Sequence, residues 1–202
     1  MVSQVGQVML DARGLLGRGA FARVLRGRHA PTACAVAVKQ LDRLAAAAEA
    51  CRHELAVMQR LQHAHVVRLF QVVETLQWTF LVMEFASDGS LALAVAQRGA
   101  LTAACARRLF AQAAAAVHYL HGAGVVHRDI KAENVLLHRG AVKLADFGLS
   151  ALAAPDGWLT EHCGSPSYAA PELLASTGAY QGGPVDQVAF FFFFFFFFFF
   201  FF

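Results

Sequence analysis

The stretch Val126-His127-Arg128-Asp129-Ile130-Lys131-Ala132-Glu133-Asn134 decides how the rest of the chain is read. It sets an acid, cations and an amide in a short polar segment, with Val125-Val126 at its entrance and Val135-Leu136-Leu137 at its exit. An apolar run, a charged loop and a second apolar run predict two short strands holding a rigid loop, the usual place for chemistry-bearing side chains. A charged surface hairpin has the same local signature, so the flanking sequence has to discriminate.

The 202 residues suffice for one ordinary domain or two small lobes. A composition 57% hydrophobic and 15% charged excludes a disordered chain, although the unbroken run Phe190 to Phe202 inflates the first figure. That run is too short for a membrane span and has no folding logic of its own. It is read as an artefact and left out of the fold argument. The net charge of +3, with no long basic run, leads us to expect no nucleic acid partner. Met1-Val2-Ser3-Gln4 opens neither a signal peptide nor a myristoylation site, and no membrane association is expected. Cys34, Cys51, Cys105 and Cys163 are scattered without metal-ligand or disulfide spacing, which predicts reduced thiols and a cytoplasmic or nuclear protein.

Taken in order, the chain first runs from Val8 to Leu16 into Gly17-Arg18-Gly19-Ala20-Phe21-Ala22-Arg23-Val24, where glycines would let backbone N–H groups approach phosphates. Val36-Ala37-Val38-Lys39 reads as an apolar strand ending in a lysine, either an edge gatekeeper or a functional cation. Between Leu44 and Gln62 the apolar spacing of Leu55, Met58 and Leu61 predicts an amphipathic helix carrying Glu49 and Glu54. Val66 to Val73 and Thr79 to Met83 read as strands of a small antiparallel sheet. Ser90 is placed to cap a helix over Leu91 to Gln97, and Thr102 a longer one to His121, ended by Gly122 and Gly124. After the opening loop, Val135 to Leu144 reads as a hairpin turning at Arg139-Gly140, followed by Asp146-Phe147-Gly148.

These pieces, closed by Ala170-Pro171-Glu172, resemble in order and spacing the motif set of eukaryotic protein kinases over roughly residues 8–186. Ala22 replaces the third loop glycine, Ile130 a leucine, and Ser90 a glutamate found in many relatives. Lys131-Ala132-Glu133-Asn134 and Cys163 to Glu172 look most like serine/threonine kinases of the calcium/calmodulin-dependent group, in its AMP-activated and microtubule-affinity-regulating branch. The resemblance implies an α+β, two-lobed fold. A small antiparallel-sheet lobe would span 8–86 and a mostly helical lobe 87–189, incomplete after about residue 186, before a 190–202 tail. It also implies transfer of the γ-phosphate of ATP, with Mg²⁺, to Ser/Thr hydroxyls of protein substrates. An inactive fragment or a nucleotide-binding scaffold is the alternative.

By the same resemblance Leu16, Gly17, Gly19, Val24, Ala37, Lys39, Met83, Glu84, Ala86, Glu133 and Leu136 would surround ATP. Glu54 is expected to pair with Lys39, Asp129 to act as base, Lys131 to neutralise the moving phosphoryl group, and Asn134 and Asp146 to hold the metal. Met58, Leu69, His127 and Phe147 would stack as an apolar spine. The activation segment from Asp146 to Glu172 would include Ser165. Relatives carry a phosphorylatable Thr where this chain has Glu161, beside Thr160, and Arg128 would pair with that phosphate. Three readings stand: Glu161 as a permanent charge, Thr160 as a shifted site for an upstream kinase, or Glu161 as a solvated loop residue. Gly183-Pro184-Val185-Asp186 resembles the start of a helix whose Asp braces the catalytic loop, but the relatives' continuation is replaced by Phe. Without the helices that follow, the 102–121 helix is expected to be left uncovered and the chain to fold poorly or aggregate.

Overall fold

The computed structural model describes residues 3–19, 22–43, 48–153, 156–175 and 178–199. The chain divides into two compact units, Met1–Gln59 with Val67–Ala86, and Arg60–Val66 with Ser87–Phe202.

Among the described residues the first unit is a six-stranded antiparallel sheet and one helix. Its elements are β1 (Ser3–Val5), β2 (Val8–Arg18), β3 (Ala22–His29), β4 (Ala35–Asp42), α1 (Ala48–Met58), β5 (Leu69–Glu74) and β6 (Trp78–Glu84), in sheet order β1-β2-β3-β4-β6-β5. Register sorts the side chains by face, because directly opposed residues of an antiparallel pair share one. Leu25 opposes Val38, which opposes Val82. These join Val5, Val8, Leu10, Val36 and Phe80 in the unit's hydrophobic cluster. Val24 opposes Lys39, which opposes Leu81, and Arg26 opposes Ala37, which opposes Met83, so these six lie on the other face.

The predicted 44–62 helix is shorter than expected. Residues 44–47 lie outside the described set, and α1 ends at Met58. Leu61 is buried but not helical, because residues 60–66 belong to the second unit. There the Gln62 N–H donates to Tyr119 Oη at 2.8 Å, and His63 stacks on the Tyr119 ring at 4.9 Å. The Leu144 N–H donates to the His65 carbonyl. Val66 forms a bridge with Leu144, so the strand expected from Val66 begins at Leu69.

The second unit carries α2 (Leu91–Arg98), α3 (Ala103–Gly122), β7 (Val125–Val126), β8 (Val135–His138), β9 (Ala141–Leu144), β10 (Ala151–Leu152), β11 (Trp158–Leu159), a 3₁₀ turn at Pro166–Tyr168, α4 (Pro171–Leu174), β12 (Tyr180–Gln181) and α5 (Gly182–Phe199). Ser90 and Thr102 cap α2 and α3, accepting from the N–H groups of Leu93 and Cys105. The β8–β9 hairpin turns on Arg139 and Gly140 with φ of +50° and +75°, the paired left-handed geometry of a tight two-residue turn. The Phe run, set aside in the sequence reading, continues α5 as far as Phe199. Its buried Phe190 and Phe194 pack on Phe110 of α3 at 5.0 and 4.6 Å, covering part of a helix expected to lie open. No helix among the described residues is long and apolar enough to cross a membrane.

Candidate active site

In the first unit the candidate groups lie on the face carrying Lys39. Lys39 is anchored by the Val24 and Leu81 pairings and donates to Glu54 Oε1 of α1 at 2.6 Å. Both side chains are nearly inaccessible, at 11% and 4%. The pairing resolves which helical glutamate meets the lysine: Glu54 is buried, whereas Glu49 is exposed. Ala37 and Met83 are buried across the sheet from each other, and Arg26 lies over the Phe85 ring at 5.2 Å. Glu84 ends β6, its N–H donating to the Arg68 carbonyl at 2.9 Å, and Ala86 is the last residue of the unit.

The glycines before β3 are informative because packing does not require them. A Cβ on Gly17 would meet nothing within 4 Å, and one on Gly19 only the Ala22 carbonyl at 3.8 Å. At Gly27 a Cβ would strike Val8 Cγ1 at 2.8 Å, so that glycine is required by the fold. Gly17 opposes Val24, Leu16 is exposed, and the Gly19 N–H closes the turn onto the Ala22 carbonyl at 2.8 Å. Space kept free of side chains beside backbone N–H groups suits a phosphate chain. Ala20 and Phe21 of the same glycine-rich stretch lie outside the described residues.

In the second unit, β7 delivers the chain into the 126–134 loop and β8 takes it away. The two strands pair elsewhere, β7 with β10 and β8 with β9. The loop's backbone is fixed by Asp186 of α5, which is fully buried. Its carboxylate accepts from the N–H groups of His127 and Arg128 at 2.7 and 2.8 Å, and lies 3.0 Å from His121 Nε2. His127 Nδ1 accepts from the Asp129 N–H at 3.3 Å, which makes Nε2 the protonated nitrogen that donates to the Ala145 carbonyl at 3.0 Å. Its ring lies 5.1 Å from Phe147. Of the other expected spine residues, Met58 is buried and Leu69 half-buried in the first unit.

Asp129 is held from three sides. Ser165 Oγ donates to Oδ1 at 2.8 Å, while Lys131 Nζ and Asn134 Nδ2 lie 2.7 and 3.0 Å from Oδ2. Lys131 also donates to Ser165 Oγ at 2.8 Å. The hairpin register, with Val135 opposite Leu144 and the Ala145 N–H on the Asn134 carbonyl, brings Asn134 beside the start of Asp146-Phe147-Gly148. Asp146 and Arg128 both have positive φ, +63° and +64°, strain of the kind that collects at functional sites. Asn134 spends its Nδ2 on Asp129, so the amide oxygen is what it offers a cation. With the Asp146 carboxylate it makes a small set of hard oxygen donors. Among the described residues no group of three or more His, Cys, Asp or Glu could hold a metal alone. Such a set fits Mg²⁺, which is usually bound by one or two protein oxygens together with phosphate and water. Glu133 is exposed, and Leu136 of β8 is half-buried and bridged to Ser90.

The segment after Asp146 is tied back to Arg128. The guanidinium donates to the Leu149 carbonyl, to the Glu161 carbonyl at 3.1 Å and to Glu161 Oε2 at 2.9 Å, and reaches Tyr180 Oη at 3.5 Å. Tyr180 Oη in turn donates to the Glu161 carbonyl at 2.7 Å. Burial disfavours the charged guanidinium, but bonds to Tyr180 and Glu161 outweigh it and raise the Arg128 pKa. Burial pushes the Cys163 thiol up. Thr160 is exposed, and Glu172 of α4 is half-buried. A small cleft is lined by Asp129, Ser165, Tyr168, Leu173, Val185 and Ala189. Sequence reasoning missed His121, Tyr180 and Gly164. Their partners are 65, 19 and 36 positions away, and no local pattern announces such contacts.

Comparison with known proteins gives the geometry a family. A model described as the protein kinase domain matches residues 10–190. CBL-interacting protein kinase 19 of Oryza sativa subsp. japonica is 44% identical over 184 residues, covering 85% of this chain and 35% of the relative. CBL-interacting serine/threonine-protein kinase 14 of Arabidopsis thaliana is 43% identical over 180 residues, covering 85% of this chain and 40% of the relative. The chain therefore spans well under half the length of these relatives. With the match running from the glycine turn through the Asp129 loop and past Asp186, the chain belongs to the protein kinase domain family.

Proposed function

We propose that this chain is the catalytic portion of a serine/threonine protein kinase that transfers the γ-phosphate of ATP to Ser or Thr hydroxyls of protein substrates. The observation that carries this reading is the Asp129 network. One carboxylate is oriented by a lysine, an amide and a segment hydroxyl at 2.7–3.0 Å, beside an amide and a carboxylate suited to a divalent cation. Asp129 accepts the proton of the substrate hydroxyl as its oxygen bonds to the γ-phosphorus and the bond to the ADP oxygen breaks. Lys131 faces the charge of the moving group, a contribution of the kind that dominates such reactions. Lys39, held by Glu54, meets the α- and β-phosphates, and Gly17 and Gly19 leave room for them. Asn134 and Asp146 would hold Mg²⁺, which when bound neutralises phosphate oxygens. In the first unit the Glu84 carbonyl and Ala86 N–H serve the adenine, with Leu16, Val24, Ala37 and Met83 as its apolar surroundings. The substrate's peptide segment runs along Ser165 and the cleft before Glu172.

Four unpaired cysteines support a reducing cytoplasmic or nuclear setting. An upstream kinase acting on Thr160 and a permanent charge at Glu161 are alternative routes of regulation, and only one of them can hold. The decisive experiment assays the complete protein on a Ser-containing peptide beside Asp146→Asn and Asp129→Asn. Each substitution is expected to lower kcat at least about 10³-fold. Phosphotransfer that survives both would sink the assignment.

A further inference from the structure

We infer that Glu161 is a positioning residue of this active site, holding the 146–172 segment on the catalytic loop by an encoded charge that needs no covalent modification. The inference rests on the kinase reading above. Its physical basis is an asymmetric ion pair: the Arg128 side chain is 6% accessible and its Glu161 partner 75%. The cation belongs to the loop's interior, and the segment brings an anion to it. Burying a guanidinium is costly unless it is bonded and charge-balanced. The carbonyls of Leu149 and Glu161 and the Tyr180 hydroxyl supply bonds, and among these described partners only the Glu161 carboxylate supplies charge.

The path from this pair to the chemistry is short. Arg128 precedes Asp129, and its backbone N–H is pinned to Asp186 at 2.8 Å. Three residues after Glu161 the segment passes so close to the loop that a Cβ on Gly164, at φ +108°, would lie 2.5 Å from the Arg128 carbonyl oxygen. The next residue, Ser165, donates to Asp129 Oδ1 and accepts from Lys131. Releasing residue 161 therefore loosens the hydroxyl that orients the catalytic carboxylate. The same geometry argues against activation at Thr160. Arg128 already serves four acceptors, and a phosphate on Thr160 would arrive beside the Glu161 carboxylate, where like charges repel.

The test uses the complete protein, dephosphorylated and verified by mass spectrometry, with Glu161→Gln, Glu161→Asp and Thr160→Ala. Peptide kcat/KM, affinity for a non-hydrolysable ATP analogue and amide hydrogen exchange over residues 158–168 are read for each. The dephosphorylated parent and Thr160→Ala should be equally active. Glu161→Gln should lose about 5- to 10-fold in peptide kcat/KM, the scale of one charge-assisted bond that is partly solvent-screened. It should also exchange faster over 158–168 with unchanged nucleotide affinity, and Glu161→Asp should recover part of both losses. A parent that is inactive until Thr160 is phosphorylated, or Glu161→Gln matching the parent in rate and exchange, would overturn the inference. If no form transfers phosphate yet exchange still depends on Glu161, the kinase reading fails while the clamp stands.

Discussion

Lys39 and Glu54 form a buried pair whose loss is expected to affect both stability and activity. Each is buried, so removing one takes from the other an ion-pair contact at 2.6 Å in a low-dielectric setting. Lys39→Met is expected to destabilise the first unit by about 3–5 kcal/mol, read by urea unfolding, and to lower phosphotransfer at least about 100-fold. An unchanged unfolding midpoint would mean that the pair is solvated. Cys163 gives a pH-dependent counterpart. Because burial raises its pKa, the reactive thiolate forms only at higher pH than for an ordinary thiol. Alkylation followed by mass spectrometry should find Cys163 slower than the exposed Cys34 near neutrality, gaining on it as pH rises. Equal rates at pH 7 would contradict this.

At the scale of elements, the short connections place the chemistry. The Arg139-Gly140 turn sets the β8–β9 register, and that register brings Asn134 beside Ala145, the residue before Asp146. α3 is begun by the Thr102 hydroxyl, which satisfies a backbone donor that has no partner within the helix. Thr102→Ala should cost about 1 kcal/mol in thermal unfolding and leave nucleotide affinity untouched, since α3 supports the loop without bearing any of its groups. Gly164→Ala is the sharper perturbation. The added methyl has to displace either the segment or the Arg128 carbonyl, and the backbone is in a region L-residues avoid. Peptide phosphorylation should fall at least about 10-fold, through the misplacement of Ser165. A fully active Gly164→Ala would show that the segment yields without disturbing Asp129.

For the whole molecule, α5 joins two features of opposite character. Its first turns carry Asp186, on which the 127–134 loop hangs, and from Phe190 it is phenylalanine. Phe190, Phe193 and Phe194 are buried, while Phe191 is 72%, Phe192 45% and Phe195 51% accessible. An apolar strip of this kind drives association. Light scattering should therefore find self-association rising with concentration, and Phe191→Glu with Phe195→Glu should suppress it. A monodisperse parent at high concentration would refute this. The exposed strip also gives the expected aggregation a physical location. What the sequence alone could determine was whatever is written locally. The His127-Arg128-Asp129 and Asp146-Phe147-Gly148 motifs, the Ser90 and Thr102 caps and the Arg139-Gly140 turn are each complete within a few residues, so the fold class and the identity of the polar groups were readable. Tertiary structure decided which of those groups meet. Glu54 rather than Glu49 reaches Lys39 because only one faces the buried side of the sheet, and residues 60–66 leave the helix because Tyr119 and Leu144 offer them partners. The Phe run is helical as far as Phe199 because it continues a helix begun at Gly182 and packs on Phe110. Arg128 closes on Glu161 and Tyr180 across 33 and 52 positions. Such contacts depend on burial and charge balance in three dimensions, where sequence distance carries no information.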